Sequence, residues 1–147
     1  MNKSKYQIGF TLIEILVVIS IIGILIALSV FGLTGARESS RDAKRKSDLQ
    51  EIRAGLELYK SDCDVYPDSL PSGGDSLKGT EVSGSCTTTN IYISTIPADT
   101  NADRVYYYSS DGTTYTLCAA LESGGTAGSC GSSSCGSVTC NYKTTNP

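Results

Sequence analysis

One stretch limits what this chain can be more than any other. Phe10 to Leu33 is a run of 24 residues in which Glu14 is the only charged side chain. About 20 apolar residues span a bilayer as a helix, so the run is long enough to cross. A cleavable secretory signal has a shorter apolar core, roughly 7 to 15 residues, followed by small residues at the cut. The nearest such site, Thr34-Gly35-Ala36, matches poorly, and a retained membrane helix is expected. Glu14 is then out of place. A carboxylate in the hydrocarbon costs roughly 2.5 to 3.5 kcal/mol on insertion scales, and something must offset that.

Helical patterning continues past Leu33. From Ala36 to Asp62 there is no proline and little turn chemistry, and Ala43, Leu49, Ile52, Leu56 and Tyr59 form a narrow apolar stripe opposite a charged face. This predicts one helix, membrane-spanning and then amphipathic, to about Lys60. Some fifty residues would make a rod of roughly 75 Å. Gly23, Gly32, Gly35 and Gly55 soften it by about 1 kcal/mol each relative to Ala, and two helices hinged near Gly32 to Gly35 are the alternative.

What remains is short, rich in Gly, Ser, Thr and Tyr, and without Trp or His. Small domains of this kind need staples. Six cysteines follow the helix: Cys63, Cys86, Cys118, Cys130, Cys135 and Cys140. An even count on one side of a membrane segment reads as disulfides in an oxidising compartment, with free buried thiols in a cytosolic domain as the alternative. Without His or a CxxC pair, zinc is disfavoured. The sequence does not choose the pairing. It also holds a conflict over orientation. Lys3 and Lys5 precede the apolar run, whereas Arg37, Arg41, Lys44, Arg45 and Lys46 follow it. Counting Lys and Arg puts the C-terminal domain inside, and the cysteines put it outside. The cysteines carry more weight, because those basic residues alternate with Glu38, Asp42 and Asp48.

After Pro67, residues 68–90 read as a loop joining helix to sheet. Residues 90–95 contain a short strand. Residues 104–123 form the clearest hairpin, with Asp111-Gly112 as a tight turn between β-rich arms. Tyr115, Leu117, Ala119 and Leu121 alternate onto one face, expected to cover Leu49, Ile52, Leu56 and Tyr59, while Thr114, Thr116 and Cys118 point away. Residues 124–147 would be disordered by composition. Their three cysteines change that by tying the tail to itself and to the body. The expected fold class is α+β: a long N-terminal helix packed by its C-terminal half on a small antiparallel sheet, with a disulfide-stapled tail. The expected divisions are 1–9, 10–33, 34–62 and 63–147.

The net charge of −3 falls to −5 if Lys3 and Lys5 leave with a leader, which argues against nucleic acid as a partner. Catalysis finds no support: there is no His for base work, no Gly-x-Ser-x-Gly elbow and no phosphate-binding loop. Tyr106, Tyr107 and Tyr108 read as strand packing. Asp99, Asn101 and Asp103 open like a calcium loop, but Arg104 replaces the turn glycine and no acid closes it, so a solvated turn is favoured over calcium and no cofactor is expected.

Residues 1 to about 67 resemble type IV prepilins and type II secretion pseudopilins. A short basic leader ends in Gly9, followed by Phe10, then Thr11-Leu12-Ile13-Glu14, then the apolar helix; Tyr66-Pro67 after the helix is like the pseudopilin branch. The resemblance implies that a prepilin peptidase cuts between Gly9 and Phe10 on the cytoplasmic side and methylates the new amine. It implies that Glu14 attracts the amine of a neighbouring subunit, which would answer the cost of the buried acid. It implies a cytoplasmic N-terminus, a single pass before assembly, and a filament subunit rather than an enzyme. Its partners would be membrane lipid, further copies and other pilin-like subunits, and an inner-membrane platform with its ATPase. Some relatives hold calcium in the sheet region. Phe31 stands where many carry a proline, leaving their kink without its cause. The main expectation is a subunit of a type IV filament exposed outside the cell. The alternatives are a periplasmic type II secretion pseudopilus and an anchored extracellular binding module that never polymerises.

Overall fold

The computed structural model describes residues 9–81 and 85–146, with Phe31 in backbone only. The leader positions 1–8, including Lys3 and Lys5, and the side chain of Phe31 lie outside the described residues. The expected α+β class holds. The element order is α1 (Leu12–Cys63), β1 (Leu77–Lys78), β2 (Ile91–Ile93), β3 (Tyr107–Ser110), β4 (Tyr115–Ala119) and β5 (Tyr142–Thr145). Contacts divide the chain into two units between Arg37 and Glu38.

In the first unit, α1 passes through Gly23, Gly32 and Gly35 as helix. Nearly every apolar side chain from Phe10 to Leu33 is exposed, and the segment is long and apolar enough to cross a membrane.

In the second unit, α1 lays Leu49, Ile52, Leu56, Tyr59 and Cys63 into the core at steps of three and four residues. Ala43, expected on that stripe, is exposed. The buried positions one and two turns before Leu49 are instead Arg45 and Asp42. The helix runs to Cys63, about a turn beyond Lys60. Asp64 then takes a positive φ of 63°, its N–H bonds the Lys60 carbonyl at 3.0 Å, and the Lys60 ammonium bonds the Asp64 carbonyl. A cation in the last turn and an αL residue after it are ordinary helix stops.

The sheet that covers the helix has the order β3-β4-β5, all antiparallel. Strand alternation divides β4 as its pattern predicts. Tyr115, Leu117 and Ala119 join Leu49, Ile52, Leu56 and Tyr59 in one core, while Cys118 faces a second core with Ala120, Cys130, Cys135 and Cys140. The β3–β4 connection is longer than the expected two-residue turn. Ser110 pairs with Tyr115, leaving a four-residue loop in which Gly112 has φ 81° and Asp111 Oδ1 accepts from the Thr113 and Thr114 amides at 2.9 and 2.6 Å. An Asx-type clasp thus does the work of a tight turn.

Between helix and sheet, residues 68–90 are not wholly loop, because Leu77–Lys78 pairs antiparallel with Ile91–Ile93. This small ribbon reaches α1 at Gly55. A Cβ there would lie 2.1 Å from Ile93 Cγ1, so glycine at that point serves close packing and not flexibility. The tail residues that composition read as disordered supply β5, held by Cys118–Cys130 and Cys135–Cys140. Cys63–Cys86 ties the helix end to the chain beyond β1. No described cysteine is free.

Candidate assembly segment and the domain behind it

Thr11 and Glu14 open α1 as a reciprocal cap. The Glu14 amide bonds Thr11 Oγ1 at 3.4 Å, while Glu14 Oε2 accepts from the Thr11 amide and hydroxyl, both at 3.3 Å. Thr at the cap position and Glu three residues on is the capping-box pattern, which satisfies two of the helix's unpartnered donors. A carboxylate at a helix N-terminus also meets the positive end of the helix dipole. Glu14 is therefore not wholly isolated in a single subunit. Its Oε1 accepts no hydrogen bond among the described residues. Gly9 and Phe10 precede the helix, and Phe10 is 82% exposed. Sequence reasoning singled out Glu14 but missed Thr11, although the Thr-x-x-Glu spacing was there to find it.

In the second unit the side chains that look like a solvated charged face are buried. Arg45 is 1% exposed and meets three carboxylates. Its Nε donates to Asp99 Oδ2 at 2.6 Å, its Nη1 to Asp42 Oδ1 at 2.8 Å, and its Nη2 lies 2.9 Å from Glu122 Oε1. Arg41 binds Glu122 through both Nε and Nη2. Asp42 in turn accepts from the amides of Glu122 and Ser123 at 2.8 and 2.7 Å. One turn on, Asp48 takes the Tyr106 hydroxyl at 2.7 Å and the Lys44 ammonium at 3.2 Å. A buried guanidinium with its fork filled by carboxylates is the arrangement in which charge burial is tolerated. No buried side-chain nitrogen or oxygen among the described residues lacks a partner.

The electrostatics follow from those bonds. Burial opposes ionisation of Asp42 and Asp99, but the hydrogen bonds outweigh it and hold both carboxyls below their usual range. The bond from Arg41, then that from Arg45, holds Glu122 down to about 2. Burial first, and Asp48 second, push the Tyr106 hydroxyl far up. The network clamps Asp99, Glu122 and Ser123 onto the helix.

Asp99, Asn101 and Asp103 are placed accordingly. Asp99 gives both oxygens to Arg45. The Asn101 amide donates to Asp99 Oδ1 at 2.8 Å and the Asp103 amide to Asn101 Oδ1 at 3.0 Å. Successive Asx turns use the side chains that a calcium loop would aim at the ion. Among the described residues no cluster of three or more His, Cys, Asp or Glu is set to hold a metal. Tyr106 and Tyr108 are used in packing, the latter donating to the Pro67 carbonyl at 2.8 Å.

Residues 4–30 match the family described as the prokaryotic N-terminal methylation motif. The chain is 40% identical over 67 residues to the type II secretion system core protein G of Vibrio cholerae, covering 46% of each chain. It is 42% identical over 75 residues to that of Aeromonas hydrophila (51% of this chain, 52% of the relative) and 43% identical over 67 residues to that of Escherichia coli K12 (46% of each). The chain spans about half the length of the curated relatives it matches. No solved structure matches it.

Proposed function

We propose that this chain is a pseudopilin: a structural subunit, not an enzyme, that polymerises through its N-terminal helix into a periplasmic pseudopilus of a type II secretion apparatus. The expectation of an externally exposed type IV filament gives way to this alternative because the curated relatives are type II secretion core proteins. The observation that carries the reading is the exposed apolar helix with its capped Glu14, in the segment that the N-terminal methylation motif family matches.

A prepilin peptidase cuts between Gly9 and Phe10 and leaves a methylated Phe10 amine on the cytoplasmic side. The subunit waits in the membrane with residues 10–33 in lipid, and the cap from Thr11 offsets part of the cost of Glu14. On assembly the helix exchanges lipid for the helices of other subunits. Glu14 Oε1 then receives the Phe10 amine of a neighbour, a pairing that gains strength as water and lipid headgroups are left behind. A platform ATPase in the inner membrane supplies the work of extraction. The test is Glu14→Ala in cells that assemble the fibre. Sheared fibres should be lost while the subunit still inserts in the membrane. Normal fibres would refute the pairing, and failed insertion would assign Glu14 another role.

A further inference from the structure

Asp99, Asn101 and Asp103 begin a run as a calcium loop begins. Such a loop offers the ion roughly six to eight oxygens at about 2.3–2.6 Å, with glycine sixth and a bidentate acid twelfth. Counted from Asp99, Arg104 stands sixth and Ser110 twelfth. The first ligand is also in use. Asp99 Oδ2 accepts from Arg45 Nε at 2.6 Å and Asp99 Oδ1 from Arg45 Nη2 at 3.1 Å. A guanidinium in contact with both oxygens fills the space an ion would need and repels it. These residues do not fit calcium.

What holds the loop instead is a cation built into the helix. Arg45 is 1% exposed, and its fork reaches Asp42, Asp99 and Glu122. Both oxygens of each acid are in use. Asp42 Oδ1 accepts from Arg45 Nη1 and the Glu122 amide, and Asp42 Oδ2 from the Ser123 amide and hydroxyl. Glu122 takes Arg41 Nε on Oε1 and Arg41 Nη2 on Oε2. Arg41 and Arg45 thus bring two positive charges to three negative ones, the charge a divalent ion would bring. The far side of the loop is fixed without an ion as well. The Asp103 carbonyl accepts from the Ser137 amide at 2.9 Å, and Arg104 Nη1 donates to the Ala120 carbonyl at 2.7 Å. An ion stabilises a folded state by mass action, so its effect follows its concentration. A side chain on the same helix is neither diluted nor chelated.

We propose that Arg45 stands in for a structural divalent ion, so that this domain folds and keeps its stability with no calcium supplied. The guanidinium draws Asp99 and the Glu122–Ser123 segment onto α1, the task a bound ion performs where a loop offers it oxygens. The exchange is local. Without the guanidinium, Asp42, Asp99 and Glu122 become three acids around a vacated space, with Arg41 as the remaining cation. A divalent ion then balances them. The inference concerns the folded domain and does not rest on fibre assembly, so either can fail without the other.

The experiment melts the full chain by denaturant in detergent micelles, in EGTA or in calcium chloride, with ionic strength matched by sodium chloride. Wild type should show the same midpoint under both conditions. Arg45→Ala should melt earlier in EGTA and recover in calcium, its midpoint rising with each tenfold step in calcium concentration. Arg45→Lys keeps a charge without the fork. It should melt earlier than wild type and stay indifferent to calcium. A wild-type midpoint that falls in EGTA would overturn the proposal. So would an Arg45→Ala chain that behaves alike in EGTA and calcium, whether folded in both or unfolded in both. Calcium rescue of Arg45→Lys as large as that of Arg45→Ala would overturn it too, because the charge of the side chain would then not matter.

Discussion

Arg45 and Asp99 stand 54 residues apart in sequence and meet at 2.6 Å, their side chains 1% and 2% exposed. Neither is free to relax into solvent. Removing the cation leaves Asp42, Asp99 and Glu122 facing one another in a water-poor site. Arg45→Met should therefore destabilise the domain by about 3–5 kcal/mol, the usual cost of breaking a buried pair from one side. Arg45→Met with Asp99→Leu should recover part of that loss. Denaturant melts of the chain in detergent micelles check both, and an Arg45→Met loss under about 1 kcal/mol would contradict the clamp.

Acid should loosen the same clamp. Asp42, Asp99 and Glu122 have folded-state carboxyls held below their unfolded values, which lie near 4. A depressed carboxyl contributes stability that is present above the unfolded value and lost as pH falls through the folded one. The midpoint of unfolding should thus be level at neutral pH and fall between about pH 4 and the value of about 2 held by Glu122. Glu122→Gln should flatten part of that fall. An unchanged acid limb in that variant would remove Glu122 from the account.

Gly55 should resist a substitution that helix propensity alone would favour. Ala is the better helix former by about 1 kcal/mol. The added Cβ would sit 2.1 Å from Ile93 Cγ1 and displace the β1–β2 ribbon. Gly55→Ala should lower stability by about 1–3 kcal/mol, as overpacking does. In a double-mutant cycle with Ile93→Ala the two losses should be strongly non-additive, and simple additivity would show that the two residues do not collide.

Glu14 has two separable properties, its cap and its charge. Glu14→Gln keeps the capping-box geometry, since Gln serves at that position, but removes the charge. If charge pairing drives assembly, Gln should abolish fibres as Ala does, with helix content unchanged by circular dichroism. Fibres from the Gln variant would make the cap, and not the charge, the working feature.

The long helix and its stripe were legible because Leu49, Ile52, Leu56 and Tyr59 repeat at helical period, and β4 because Tyr115, Leu117 and Ala119 alternate. What misled was local sequence standing in for distant contact. Asp42, Arg45 and Asp48 look like a solvated face, and they are buried because Asp99, Tyr106 and Glu122 arrive from far along the chain to meet them. Asp99 read as part of a solvated turn for the same reason. Its guanidinium partner lies 54 residues away. The strand Leu77–Lys78 has two residues, too few to show a period. Cysteine pairing leaves no trace in spacing.

The most direct test of the central claim is the intact mass and N-terminal sequence of the native protein from a membrane or sheared-fibre fraction. A chain that begins at Phe10 and carries one added methyl is the predicted result. A chain that begins at Met1 or beyond Ala36 would contradict it, because neither leaves a Phe10 amine for Glu14 to receive.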